Sequence, residues 1–245
     1  LVVRVLGWEW SVAEERVVVG STLEEAPSSR GMQSMSSNTL GVCMGDIDSD
    51  GDVDVFLAND EAVNQLYIND GSGVFVESAA SPWGVAGEAS GVSTYGCGFG
   101  DVDGNGHLDL LVIVSGSANE LYMNDGGAMP MSEEAASRGV NSSTDSRSVA
   151  MGDVTGDGFI DLYVSVDDAA NELYINDGSG VFVEEAGGRG ASIGGSTQQA
   201  VMVDVDDDGD LDMMVVNWFS MDSLLMNDGS TSSTDPSTDK NVLPA

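Results

Sequence analysis

Carboxylates fall on every second residue of DVDDDGDLD, Asp204 to Asp212, and a glycine sits where the chain must turn sharply. That spacing suits a hard cation. Ca²⁺ takes six to eight oxygen ligands in a flexible shell, and a tight loop can supply them from side chains at positions 1, 3 and 5, a carbonyl at 7 and a further carboxylate. Here those are Asp204, Asp206, Asp208, the backbone of Asp210, and Asp212. The pattern recurs as DIDSDGDVD, offering Asp46, Asp48, Asp50 and Asp54 with the Asp52 carbonyl. A further copy, DVDGNGHLD, offers Asp101, Asp103, Asn105 and Asp109 with the His107 carbonyl, one charge fewer. In DVTGDGFID, Thr155 takes position 3 and leaves Asp153, Asp157 and Asp161 with the Phe159 carbonyl, so the lowest affinity is expected there.

An EF-hand begins in a similar way but needs flanking helices and a bidentate Glu at loop position 12. Position 12 is Leu57, Val112, Val164 or Val215 in the four copies, so the EF-hand reading fails. Each loop runs instead into VDVFLAN, LDLLVIV, IDLYVSV or LDMMVVN, rich in β-branched and aliphatic residues over the length of a strand. Each loop therefore joins two strands, with its last Asp opening the second.

Other chemistry finds little support. His107 is the only histidine, which excludes a His-based zinc site and most general-base schemes. Gly190 to Gly194 matches GxSxG, but that motif works only on a strand-to-helix elbow with His and Asp partners. It reads as a flexible linker. Carboxylate pairs for glycoside hydrolysis exist among so many acids, yet they are better explained as cation ligands. The expectation is a protein that is not an enzyme.

The 42 Asp and Glu residues against 7 Lys and Arg leave a formal charge of -35 over 245 residues. Phosphates would be repelled, which argues against nucleic acid and against unaided binding to anionic membranes. Cations would be drawn in, though part of this acidity also serves solubility. No run of eighteen apolar residues exists, so no membrane insertion by a helix is expected. The start lacks an initiator Met and an obvious charged leader, so a signal peptide is expected to be already gone or outside this chain. Cys43 and Cys97 lie three and four residues before their loops, with opposite parity on equivalent strands. They are either a disulfide between stacked repeats or two small buried hydrophobes.

The first loop aspartates are spaced 55, 52 and 51 residues apart, the length of a propeller blade. Within each repeat the order is strand, loop, strand and a hairpin whose turn is NDG, at Asn69, Asn124, Asn176 and Asn227. Four antiparallel strands per repeat predict an all-β propeller of four four-stranded blades over residues 21–229. The fourth copy passes from its NDG into STSSTDPSTDK and lacks an outer strand, while STLEEAPSSRG near the start matches GVFVEEAGGRG of the third. An N-terminal strand is thus expected to complete the last blade and close the ring.

Residues 1–20 fall outside that count. LVVRVLGWEW and ERVVVG read as strands, either an extra hairpin or an edge that pairs with the next copy head to tail and gives a filament. The tail, 230–245, is rich in Ser, Thr and Asp with Pro236 and Pro244, and reads as a linker or extended segment. Asn141 opens an NSS glycosylation sequon in a polar inter-blade linker.

The DxDxDG core with a further Asp three residues after the Gly, the strand behind it, and the NxLYxNDGxGxF segment at Asn64 to Phe75 and Asn171 to Phe182 carry a family resemblance. The chain resembles FG-GAP or VCBS repeats, the calcium-loop blades of integrin α-subunit propellers and of many secreted and surface proteins. The resemblance covers roughly residues 22–229. It implies structural Ca²⁺ in each loop, about four ions, and a secreted or surface protein serving adhesion, recognition or assembly. The leading expectation is a calcium-stabilised building block that self-associates as a homopolymer. The alternatives are a monomeric module binding a glycan or protein ligand through exposed residues such as Trp218 or Trp83, and a fragment of a larger integrin-like propeller.

Overall fold

The computed structural model describes residues 30–32, 38–86, 92–127 and 129–229. Four four-stranded antiparallel sheets follow one another along the chain, and the fold is all-β. The first holds β1 (Thr39–Gly45), β2 (Asp54–Asn59), β3 (Gln65–Asn69) and β4 (Phe75–Glu77) in that order. The second holds β5 (Thr94–Gly100), β6 (Asp109–Val114), β7 (Glu120–Met123) and β8 (Ser132–Glu133). The third runs β9 (Ser146–Gly152), β10 (Asp161–Val166), β12 (Glu172–Asn176) and β13 (Phe182–Glu184). In the fourth, β14 (Gly194–Val203), β15 (Asp212–Trp218) and β16 (Ser223–Leu225) are joined by β11 (Ala169–Ala170), which pairs with the start of β14. Short helical turns at Ala79–Trp83, α1 (Ala135–Arg138) and α2 (Ala186–Arg189) come after the outer strands of the first three sheets. No helix among the described residues is long and apolar enough to cross a membrane.

The sheets stack face to face, and β1 packs on β5, β5 on β9 and β9 on β14. A sheet covered on both faces has no polar side, so its strands read as continuous apolar runs. DLLVIV of β6 and DLYVSV of β10 are accordingly buried at every residue. Three apolar cores result, one per joint: around Phe56 and Leu110, around Ile113 and Leu162, and around Tyr163 and Met213. On the first strand of each of the first three sheets, small residues face the following sheet and large ones point the other way. A Cβ on Gly41 would lie 2.6 Å from the Tyr95 carbonyl oxygen, and one on Gly45 2.9 Å from the Leu108 side chain. Cys43 points forward and Cys97 backward in this alternation, and the two form a disulfide with Cα atoms 5.8 Å apart.

Several expectations change. The segment assigned to complete the fourth sheet, Glu24 to Ala26, and the strands and tail at 1–20 and 230–245 lie outside the described residues. Among the described residues the fourth member of that sheet is β11, at the β14 edge and away from the β16 side on which the N-terminal strand was expected. Among the described residues the first and fourth sheets share no packing comparable with the three joints. Val203 stands where Gly45, Gly100 and Gly152 let the next sheet approach. Trp83 is not a surface candidate, because it is buried in the core between the first two sheets. Gly190 to Gly194 leads from α2 into a strand, and it is pinned: Tyr163 Oη donates to the Ala191 carbonyl and the Asn171 amide to that of Ile193.

Candidate metal centres

Each loop is shut by its first aspartate. Asp46 accepts the Asp50 and Gly51 amides at 3.0 and 2.9 Å, and Asp101 accepts those of Asn105 and Gly106 at the same distances. Asp153 and Asp204 each accept three amides, from Gly156, Asp157 and Gly158 and from Asp207, Asp208 and Gly209. Such side-chain-to-backbone bonds stabilise a turn that lacks ladder partners. The glycine at position 6 has φ of +91 to +97° in all four loops, a region that glycine enters without steric cost.

Position 5 repeats the device two residues on: Asp50, Asn105, Asp157 and Asp208 accept the amides of Asp52, His107, Phe159 and Asp210. Asn105 donates its Nδ2 to the Asn124 carbonyl at 3.0 Å, which fixes its Oδ1 toward the loop. The position-7 side chains lie over the glycine of their own hairpin turn, His107 against Gly126 and Phe159 against Gly178. His107 Nδ1 is also 3.2 Å from Ser49 Oγ of the preceding loop, so the imidazole faces away from its own carboxylates.

The carboxylates converge in three of the four loops. Asp46, Asp48 and Asp50 offer oxygen atoms within 4.8 Å of one another, as do Asp101, Asp103 and Asp109, and Asp204, Asp206 and Asp212. Among the described residues the third loop forms no such group; its position 3 is Thr155, which brings no carboxylate and donates its hydroxyl to Asp153. Asp54 is not a member of the first group, though burial and then the Asp54 charge raise the Asp48 carboxyl.

The last aspartate of each loop is buried and has a second task. Asp54 accepts the Ile47 and Asn69 amides, Asp109 those of Val102 and Asn124, Asp161 those of Val154 and Asn176, and Asp212 those of Val205 and Asn227. One carboxylate thus ties the loop to the hairpin of its own sheet. Burial pushes the Asp109 carboxyl up to about 7, with the charges of Asp103 and Asp101 adding to the shift. Burial also raises Asp48, Asp54, Asp161 and Asp206, again reinforced by neighbouring carboxylates. Anionic oxygens held together against their own repulsion are the donor set a divalent cation neutralises, and an all-oxygen set suits Ca²⁺.

Sequence reasoning missed the asparagine of each NDG turn as anything beyond a turn residue. Asn124 Nδ2 donates 2.8 Å to the Ile47 carbonyl, Asn176 to that of Val102 and Asn227 to that of Val154, each reaching the loop of the preceding sheet. A signal was present: this asparagine comes 23 residues after its loop's first aspartate in every copy, while the repeat length varies. Asn141, the sequon residue, is exposed between α1 and β9.

Stacked four-stranded sheets, an acidic loop at the same place in each, and an asparagine stapling the first three loops to the next sheet define a repeat protein with one acidic loop per repeat. A family profile described as FG-GAP-like repeat matches residues 46–112, 101–164 and 153–215. The chain belongs to the FG-GAP-like repeat family. No curated protein matches the sequence.

Proposed function

We propose that this chain is a calcium-stabilised, propeller-type module of an extracellular or cell-surface protein, acting by binding and assembly and not by catalysis. The observation that carries the reading is the convergence of carboxylate oxygens within 4.8 Å in three loops. Asp46, Asp48, Asp50, Asp101, Asp103, Asp109, Asp204, Asp206 and Asp212 would hold the ions, and the third loop a weaker one. The metal supplies positive charge that offsets the repulsion between carboxylates. The residues supply the rest: the first and last aspartates tie their loops by backbone bonds that exist without the ion. Family membership and the Cys43–Cys97 disulfide, a bond that persists in oxidising compartments, support an extracellular site of action. The chain's working mode in this reading is self-association. A second reading, recognition of a glycan or protein ligand, is favoured by Trp218 and Phe219, which expose adjoining rings with centroids 5.7 Å apart.

The test is thermal unfolding in millimolar Ca²⁺, in millimolar Mg²⁺ and in chelator. An extracellular-type site with a dissociation constant of about 0.1 mM contributes about 1.4 kcal/mol at about 1 mM Ca²⁺. Several such sites should raise the midpoint by about 10 °C or more over chelator, with Mg²⁺ far less effective. An unchanged midpoint in chelator would sink the calcium reading.

A further inference from the structure

Of the asparagines in the chain, Asn141 alone is followed two residues on by Ser or Thr, in Asn141-Ser142-Ser143. The fold does not need an asparagine there. Asn38 aside, every other described asparagine commits its side chain to hydrogen bonds, as Asn59, Asn119 and Asn217 do, whereas Asn141 makes none among the described residues. The linker after the third sheet has Ser192 at the same place, and its backbone serves equally well: the Ser142 and Ile193 carbonyls accept the amides of Asn119 and Asn171.

Between α1 and β9 the exposure alternates residue by residue: Asn141 is exposed, Ser142 half-buried and Ser143 exposed. Ser142 is held by two bonds, its hydroxyl donating to Glu172 at 2.7 Å and its carbonyl accepting the Asn119 amide at 3.0 Å. Pinning the middle residue inward leaves its two neighbours facing outward. The acceptor amide and the hydroxyl that a glycosyl transferase needs two residues on are therefore both presented to solvent, on a backbone fixed by the packed sheets. Asn141 also lines an open groove of about 720 Å³ between the turn behind the first sheet and the third strand of the second. Its walls are small, with Ala80, Gly84, Pro130 and Ala136 exposed along it. Glu133 lines it too, with one carboxylate oxygen on the Leu121 and Ala135 amides and the other without a bond among the described residues. The volume lies in the range, about 300 to 1,000 Å³, that takes a ligand of a few rings. Small apolar walls suit the C–H face and acetamido methyl of a sugar, and a carboxylate accepts its hydroxyls. The lining residues include no cation and the chain carries -35, so a neutral sugar fits and an acidic one is repelled.

We propose that Asn141 is a glycan acceptor: its Nδ2 carries an N-linked oligosaccharide whose first unit, a neutral N-acetylhexosamine, lies in the groove beside it. The inference rests on the extracellular reading above, since the donor for such a transfer is met on the way out of the cell. Nδ2 bonds to the anomeric carbon of a sugar carried on a lipid pyrophosphate, and the bond from that carbon to the pyrophosphate oxygen breaks. The pyrophosphate leaves with the electron pair, and Nδ2 gives up one proton to a base of the transferase. The chain is the substrate of this step, and the catalysis belongs to the transferase. Once attached, the proximal sugar takes the exposed surface of Ala80, Pro130 and Ala136 out of water, which stabilises the folded state.

The full chain, secreted from a eukaryotic host behind a secretory leader, is weighed by mass spectrometry before and after peptide N-glycosidase. The expected result is the loss of one oligosaccharide, with Asn141 converted to Asp where it was released. Ser143→Thr should keep the glycan and Ser143→Ala should lose it. A secreted chain with Asn141 bare, or a glycan that survives Ser143→Ala, overturns the inference. The seat in the groove has its own readout. With the glycan trimmed to its proximal sugar, the melting midpoint in Ca²⁺ should lie above that of Asn141→Gln, and Ala136→Trp, which fills the groove, should abolish the difference while Asn141 stays occupied. Equal midpoints for the one-sugar form and Asn141→Gln overturn the seat. The two readings fail separately: a bare Asn141 on a secreted chain removes this inference and leaves the extracellular reading standing. A chain glycosylated at Asn141 but retained and degraded supports the acceptor and removes the reading beneath it.

Discussion

Replacing Asn124 by Ala removes the staple between the first and second sheets and nothing of the loops' carboxylates. Asn124 is almost wholly buried and makes three side-chain bonds: to the Ile47 carbonyl at 2.8 Å, to the Leu108 carbonyl at 3.2 Å, and from the Gly126 amide at 3.0 Å. Ile47 is fully buried, so its carbonyl loses a partner that water cannot replace. An orphaned buried acceptor costs about 1 to 3 kcal/mol, and an ordinary lost hydrogen bond about 1. The variant should therefore lose about 2 to 4 kcal/mol, a fall of roughly 10 °C for a chain of this size. Asn69→Ala is the internal control. It removes a bond to Val53 at 3.2 Å and bonds from Gly71 and Gly73 near an exposed turn, but none to another sheet. Its cost should be about 1 kcal/mol or less. Both are measured by thermal unfolding in saturating Ca²⁺, monitored by far-ultraviolet circular dichroism. Equal losses for the two variants would refute the claim that the asparagine acts across the joint.

In chelator, stability should rise as pH falls from 8 to 5. The folded Asp109 carboxyl, near 7, lies above its unfolded value of 3.8, so its contribution is fully present below the unfolded value and is lost as pH rises through 7. Each unit of acidification below 7 is worth up to about 1.4 kcal/mol from this group, with Asp48, Asp54, Asp161 and Asp206 acting in the same direction. In Ca²⁺ the trend should reverse, because protons and the ion compete for the same oxygens; parallel pH profiles of the melting midpoint with and without the metal would contradict it. Reducing Cys43–Cys97, or replacing both by Ser, opens a connection 54 residues long and should cost about 2 to 4 kcal/mol. A midpoint unmoved by reductant would show that the first joint holds without it.

The acidic loops, the strands behind them and the four-fold repeat were legible in the sequence because local chemistry dictates them. Alternating carboxylates around a glycine such as Gly51 or Gly209 need a tight turn whatever surrounds them. Runs such as DLLVIV, short and rich in β-branched and aliphatic residues, read as strands. Even the family was readable, since its motif is contiguous. What the sequence alone left open were relations between repeats. The parity of Cys43 and Cys97 allowed a disulfide but did not set the 5.8 Å approach of their Cα atoms, which depends on Gly41 and Gly45 letting two sheets come close. Trp83 looked like any surface aromatic until the second sheet covered it. Asn124 reads as a turn residue because its partner, Ile47, lies 77 positions away and is brought near only when two sheets stack. The same holds for Val42 and Val201: their strand sets which side they face, but only the arrangement of the sheets leaves both side chains exposed.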